Sequence, residues 1–216
     1  MRTPAAFARW SEAWNRPRFR VRFFVTIPFF LVVLFSLANY LQWVERRLGI
    51  VIPDPVLAAF PPTDLTWLIF SLIYLSIIIA LIVYTREPDR LLLAFQSYSI
   101  MVVFRIIAMY LLPLDPPAVT IPLQDPFVQL FGSGNVLMKD LFFSGHTSTL
   151  FLLFLTAGSK GLKVFFLLCT IAVATSIIIH HTHYTVDVFV APFVAYCSYR
   201  IALLMNKRYD PSLTAF

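Results

Sequence analysis

The chain has 216 residues, of which 59% are hydrophobic, and it carries a formal net charge of +6. A soluble domain of this length cannot bury so much apolar surface, so the composition predicts an all-α integral membrane protein whose outer surface faces lipid. The basic residues lie in short tracts between apolar runs, as they do beside membrane helices, which argues against nucleic acid as a partner. The two cysteines, Cys169 and Cys197, lie in apolar segments and are expected to be free thiols.

Residues 1–22 are basic and amphipathic, with six arginines and two tryptophans, and they predict a helix at the membrane interface. The apolar runs that follow predict six membrane-spanning helices in one domain of residues 23–205, and residues 206–216 form a tail. The predicted spans are residues 23–44, 65–84, 91–112, 141–157, 162–179 and 184–205. The longest loop, residues 113–140, precedes the fourth span and contains five prolines.

Six spans place both termini on the same side of the membrane. Of the seventeen Lys and Arg residues, thirteen fall on that side, three on the other and one inside a span. The positive-inside rule therefore predicts that both termini are cytoplasmic. The loop of residues 113–140 and all four histidines then lie at the non-cytoplasmic face, together with the N-terminal ends of the fourth and sixth spans.

The four histidines occur in two short motifs, SGHT at residues 144–147 and HHTHYTVD at residues 180–187. His183 and Asp187 are four residues apart at the start of a helix, so the carboxylate can reach one imidazole nitrogen and leave the other free to attack. His146 opens a second helix, and it is the second histidine that a displacement at phosphorus needs in order to protonate the leaving oxygen. These three are the predicted catalytic residues. His180 and His181 are expected to be packing residues.

The residues around His146 are suited to binding a phosphate. Ser144, Gly145 and the backbone N–H groups that open the fourth span are predicted to hold phosphate oxygens. Arg105 lies inside the third span, where a charge costs roughly 2.5–3.5 kcal/mol on insertion scales. It therefore either binds the phosphate or pairs with Asp140 or Asp187 to hold the bundle together.

Three further residues are weaker candidates for substrate binding. Asp140 either caps the fourth span or contacts the substrate. Tyr110 and Tyr184 are candidates for contacts near a lipid headgroup, because tyrosine places an apolar ring and a polar tip at a membrane interface.

Residues 140–147 (DLFFSGHT) and 181–188 (HTHYTVDV) resemble the two catalytic motifs of the sphingomyelin synthase family, a branch of the type 2 phosphatidic acid phosphatase superfamily. The stretch from Arg105 to Tyr110 (RIIAMY) is similar to the arginine-containing motif of that family. The resemblance covers roughly residues 95–200. It implies a six-span fold and a mechanism without metal or cofactor, in which His183 forms a phospho-histidine-type intermediate, Asp187 orients it and His146 is the acid and base.

The resemblance also implies the partners of the reaction. They are a phospholipid donor and a lipid hydroxyl acceptor similar to ceramide or diacylglycerol, which meet at the non-cytoplasmic face of the membrane.

The chain departs from the family pattern in ways that bear on its branch. Met138 and Lys139 replace a Cys-Gly pair, and the closing Tyr-x-x-His of the last motif is absent. The phosphatase branch places Ser-Arg six to seven residues before its nucleophilic histidine, where this chain has Ser176 and Ile177. The missing arginine favours the synthase branch.

Two other functions stay open. One is a lipid phosphatase or a phospholipase C-like hydrolase that uses the same histidines. The other is a non-catalytic membrane protein that binds or transports lipid, although the intact set of His146, His183 and Asp187 argues against it.

Overall fold

The computed structural model describes residues 5–124 and 137–207, and the regular secondary structure in this part of the chain is helical, apart from one isolated bridge between Ile50 and Leu114. The predicted all-α class is therefore confirmed. The helices are α1 (Ala5–Asn15), α2 (Pro17–Glu45), α3 (Thr66–Tyr84), α4 (Pro88–Leu111), α5 (Gly145–Thr156), α6 (Lys160–His180) and α7 (Thr185–Lys207), with a short 3₁₀ helix at Leu57–Ala59.

Five of these helices, α2, α3, α4, α6 and α7, are long and apolar enough to cross a membrane, which supports an integral membrane protein. The count of six spans is not confirmed, because α5 has only 12 residues and is about 18 Å long. The fourth predicted span began at residue 141, but the helix starts only after Ser144, whose hydroxyl accepts the N–H of Thr147 as an N-cap. The apolar residues before this cap are not helical.

Of the predicted interfacial segment 1–22, the described residues 5–22 are divided between α1 and the beginning of α2. Pro17 lies in the first turn of α2, where the missing N–H of proline costs nothing. The indole nitrogen of Trp10 donates a hydrogen bond of 2.6 Å to the carbonyl of Thr85, and Ala13 is buried. Helix α1 therefore packs across the turn that joins α3 to α4.

Helix α4 is the centre of the bundle, since α2, α5 and α7 pack against it, while α5 also packs against α6 and α7. Helix α3 packs mainly against α6, and its Ile69 shares a buried cluster with Leu150, Val173 and Ile177. Large apolar side chains of α2 remain exposed, as expected for a surface that faces lipid. The two cysteines are free thiols, as predicted.

Loop segments cover one end of the bundle, which we call the site end. Residues 46–65, 113–124 and 137–144 belong to this layer. The ammonium group of Lys139 lies 2.6 Å from a carboxylate oxygen of Asp115, and the amide of Lys139 donates to the carboxylate of Glu45 at 3.1 Å. Ile50 and Leu114 form the isolated bridge. The loop segments are therefore stabilised by contacts with one another as well as by contacts with the helices.

Gly49 is required by a close approach between two of these loops. A Cβ atom at this position would lie 2.6 Å from the carbonyl carbon of Leu114, and backbone cannot move aside cheaply. We expect Gly49→Ala to destabilise the protein by roughly 1–3 kcal/mol through overpacking. Gly161→Ala is the control, because a Cβ atom there meets nothing within 4 Å. Thermal unfolding midpoints in detergent should fall for the first variant only, and equal midpoints would contradict the close approach.

Candidate active site

His183 and Asp187 form the pair that their spacing predicts. The Nδ1 atom of His183 lies 3.3 Å from Oδ2 of Asp187, and the backbone amide of Tyr184 donates to the same oxygen at 3.2 Å. His183 is 1% exposed and Asp187 is fully buried. With Nδ1 facing the carboxylate, the remaining nitrogen, Nε2, is the one available for chemistry.

The two histidine motifs meet at the start of α5 and α7. The backbone amide of Ser144 donates a hydrogen bond of 3.1 Å to the carbonyl of Asp187, so the cap of α5 is tied to the first turn of α7. The rings of His146 and His183 have centroids 6.4 Å apart and are inclined by 70°. The structure therefore brings the three predicted catalytic residues together, from positions more than 35 residues apart in the chain.

Arg105 is buried next to this pair and is held by the loop that precedes α5. Its Nε and Nη2 atoms donate to Oδ1 of Asp140 at 3.2 and 2.6 Å, and Nη1 donates to the carbonyl of Phe143. Of the two carboxylates considered as its partner, Asp140 is the one it binds. Burial raises the pKa of the Asp140 carboxyl, but the charge and hydrogen bonds of Arg105, together with the nearby His183 and His146, outweigh burial, so the pKa lies below its ordinary value.

Gly145 makes room for the Arg105 guanidinium. A Cβ atom on Gly145 would lie 2.9 Å from Cζ of Arg105. The glycine of the SGHT motif therefore allows a buried cation to lie directly against the N-terminal turn of α5. Its role in this structure is to accept Arg105.

The two predicted tyrosines lie in different surroundings. Tyr184 is buried, donates through its hydroxyl to the carbonyl of Asp115 at 2.8 Å, and accepts from the amide of Ile52 at 3.3 Å. Burial raises the pKa of the Tyr184 hydroxyl above its ordinary value. Tyr110 is 58% exposed and packs against the Arg47 guanidinium at 5.4 Å. Contact of either tyrosine with a substrate stays a prediction.

His181 ends α6 in the left-handed conformation, with φ of 60°, a position that glycine usually takes. Its Nδ1 atom lies 3.0 Å from the carbonyl of Val119, and its own carbonyl accepts from the hydroxyl of Thr120 at 2.7 Å. His180 bonds through its two ring nitrogens to Thr66 and Thr182. Both histidines are therefore held by hydrogen bonds of the fold.

Asp54 is a further residue at the site that the motifs did not predict, and its carboxylate accepts hydrogen bonds from the amide of Thr185 at 2.7 Å and from its hydroxyl at 3.1 Å. Burial raises the pKa of the Asp54 carboxyl, but hydrogen bonds from Thr185, Leu57 and Val56 together outweigh burial, and the pKa lies below its ordinary value. A local sequence feature could have identified Asp54: it lies between Pro53 and Pro55, which is typical of a turn with a side-chain cap.

An elongated cavity of about 620 Å³ opens beside His146, one of the predicted catalytic residues. Arg105, Asp140, Gly145 and His146 line one part of it, whereas His183 is not among the lining residues. The rest of the wall is mostly apolar and comes from α2, α3, α4 and α5. From Arg105 to Leu91 the wall follows α4 for about 21 Å.

Among the residues that the structure describes, no group of three or more His, Cys, Asp or Glu side chains is arranged to hold a metal ion. The expectation of a metal-free mechanism stays a prediction. The loop of residues 113–140 lies partly outside the described residues, which include residues 113–124 and 137–140 of it.

A family model described as PAP2 superfamily C-terminal matches residues 139–203. This range contains Asp140, the SGHT motif, His183 and Asp187, and it covers less than half of the chain. The match supports the type 2 phosphatidic acid phosphatase superfamily. Members of this superfamily are generally phosphatases or phosphotransferases, which supports an enzyme of that general kind. No curated protein and no solved structure matches the chain.

Arg105→Met should leave Asp140 and the Phe143 carbonyl without their donor, and we expect the unfolding free energy at pH 7 to fall by roughly 1–3 kcal/mol. The double variant Arg105→Met/Asp140→Asn should recover part of this loss, since it leaves no unpaired charge. Arg200→Met is the control, because Arg200 is exposed on α7 and should change stability by less than about 0.5 kcal/mol.

The loss of unfolding free energy in Arg105→Met is expected to depend on pH. Because the folded pKa of Asp140 is lowered, its ion pair stabilises the protein above the unfolded pKa, near 4, and this contribution is lost as the pH falls through the folded value. The deficit of Arg105→Met relative to the natural protein should therefore shrink below about pH 4. A deficit that does not change with pH would contradict the charge pairing.

Proposed function

We propose that this protein is a membrane lipid phosphotransferase that moves a phospho-headgroup from one lipid to another through a phospho-histidine-type intermediate on His183. The observation that carries the proposal is the position of the paired histidines at one part of a long apolar cavity. His146 lines that cavity, and the His183 ring is 6.4 Å behind it, centroid to centroid.

The lining of the cavity is suited to an amphiphilic substrate. Its volume of about 620 Å³ is within the range of small-molecule sites, but its lining is apolar over most of its length and charged only near Arg105 and Asp140. A molecule with one phosphate and a long hydrocarbon chain matches this division. The cavity also lies between α2 and α3, whose outer faces are expected to contact lipid, so a substrate can enter from the bilayer.

In the proposed first step, Nε2 of His183 attacks the phosphorus atom, a P–N bond forms, and the P–O bond to the donor lipid breaks. Asp187 holds the ring through Nδ1 and stabilises its positive charge. His146 gives a proton to the leaving oxygen. The N-terminal turn of α5, with Arg105 packed against Gly145, supplies the positive field for the phosphoryl oxygens.

In the second step, His146 takes the proton of the acceptor hydroxyl. The acceptor oxygen then attacks phosphorus, the P–N bond breaks, and His183 returns to its first state. The low exposure of His183 and Asp187 supports transfer over hydrolysis, because a site that excludes water protects the intermediate. The charge distribution between the spans supports placing the reaction at the non-cytoplasmic face.

The deciding experiment incubates the purified protein with phospholipids labelled in the headgroup, with and without ceramide or diacylglycerol. We expect a labelled lipid product that requires the acceptor, and unchanged turnover in EDTA. Release of water-soluble phosphorylated headgroup or of free phosphate without an acceptor would assign a hydrolase. No turnover of any lipid would favour a lipid-binding protein, and strong inhibition by EDTA would exclude the metal-free mechanism.

His183→Ala should reduce turnover by more than about 1,000-fold, because no phosphorylated intermediate can form. His146→Ala should lose about 100- to 10,000-fold, the usual contribution of a general acid and base. Asp187→Asn should be severe but incomplete, since an amide can still orient the ring. His181→Asn is the matched histidine control and should keep activity within about threefold, because asparagine tolerates the left-handed conformation. Full activity in His183→Ala would remove the nucleophile assignment.

A further inference from the structure

The turn that carries His183 is stabilised by hydrogen bonds from a segment outside the two helices that it joins. Residues 181–184 join α6 to α7, and the loop before α3 contacts both sides of this turn. The amide of Thr63 donates to the carbonyl of Ile179 at 3.0 Å, at the end of α6. Asp54 accepts from Thr185, the first residue of α7. A segment more than 115 residues away in sequence therefore sets the distance between the two helix ends.

Asp54 makes two sets of contacts with one carboxylate. Its Oδ1 atom accepts from the amides of Val56 and Leu57 at 3.0 and 3.2 Å, which forms a local turn, and from the Thr185 hydroxyl at 3.1 Å. Its Oδ2 atom accepts from the Thr185 amide at 2.7 Å. This is the shortest of the four bonds, and it satisfies one of the amides at the N-terminus of α7 that has no partner within the helix.

The contact between Asp54 and Thr185 can affect the position of the His183 imidazole through Asp187. Thr185 begins the turn of α7 that contains Asp187, and the Asp187 carboxylate holds both Nδ1 of His183 and the amide of Tyr184. A rotation of this turn would move the carboxylate away from the ring. The negative charge of Asp54 is also favourable at the positive end of the α7 dipole.

We propose that Asp54 is a positioning residue for the nucleophile: by capping α7 across the chain, it keeps Asp187 on Nδ1 of His183 and so holds the ring in one tautomer, with Nε2 directed toward the substrate. The functional part of this inference rests on the proposed phosphotransfer, but the position of the ring can be tested without any substrate.

Asp54→Asn separates the two sets of contacts. Asparagine keeps an oxygen for the turn at Val56 and Leu57, but it presents an N–H₂ group to the Thr185 amide, where two donors cannot bond. Asp64→Asn is the matched control, because Asp64 lies in the same loop and caps α3 through the Thr66 amide at 2.9 Å. Thr185→Val is a milder variant that removes only the hydroxyl contact of 3.1 Å with Asp54.

The test uses the full chain in detergent, labelled with ¹⁵N-histidine. The chain contains only four histidines, so the His183 signals can be assigned by their loss in His183→Ala. We expect one His183 tautomer in the natural protein and in Asp64→Asn, and a mixture of tautomers in Asp54→Asn. The rate of lipid transfer should fall by up to about 100-fold in Asp54→Asn with KM unchanged, and severalfold in Thr185→Val.

The outcomes separate positioning from simple support of the fold. A lower thermal midpoint in Asp54→Asn with unchanged His183 signals would overturn the proposal, and so would an equal change of tautomer in Asp64→Asn. If Asp54→Asn does not fold, Thr185→Val decides: a partial shift of the His183 signals supports positioning and unchanged signals reject it. If the natural protein transfers no lipid, the proposed function fails while the tautomer measurement still decides the role of Asp54.

Discussion

The buried Arg105 is the constraint on which the site depends. A guanidinium inside a membrane bundle must have its donors satisfied, and the donors of Arg105 go to Asp140 and to the Phe143 carbonyl. These contacts hold the segment before α5 in a non-helical conformation. Helix α5 therefore begins at Gly145 and not at residue 141, where the fourth span was predicted to start. The same contacts place the cation directly against the turn that presents His146. The buried charge and the Ser144 cap together therefore define where α5 begins and where His146 lies.

The site has two halves that are joined through backbone. One half is the Arg105–Asp140 pair with the N-terminal turn of α5, and the other is the turn from α6 to α7 with His183 and Asp187. The bond from the Ser144 amide to the Asp187 carbonyl connects them. This hydrogen bond joins backbone to backbone, so it depends little on side-chain identity. It holds the turn that carries His146 at a fixed distance from the turn that carries His183.

The loop layer at the site end has a mechanical role in addition to covering the bundle. Asp54 and Tyr184 link the turn from α6 to α7 to segments that are far away in sequence, and the contact between Lys139 and Asp115 joins one of these segments to residues 137–144. Residues that flank a site in this way can control the orientation of an imidazole without contacting a substrate. The apolar cavity supplies the other requirement, a place for a hydrocarbon chain beside a charged centre.

The sequence by itself determined the helical class, the approximate positions of the five long helices, and the pairing of His183 with Asp187. These features depend on apolar runs and on a spacing of four residues, which are local properties of the chain. Only the tertiary structure decided that Arg105 binds Asp140 and not Asp187, that α5 has only 12 residues, and that Asp54 caps α7. Each of these depends on which distant segments meet, and neither composition nor periodicity specifies such contacts.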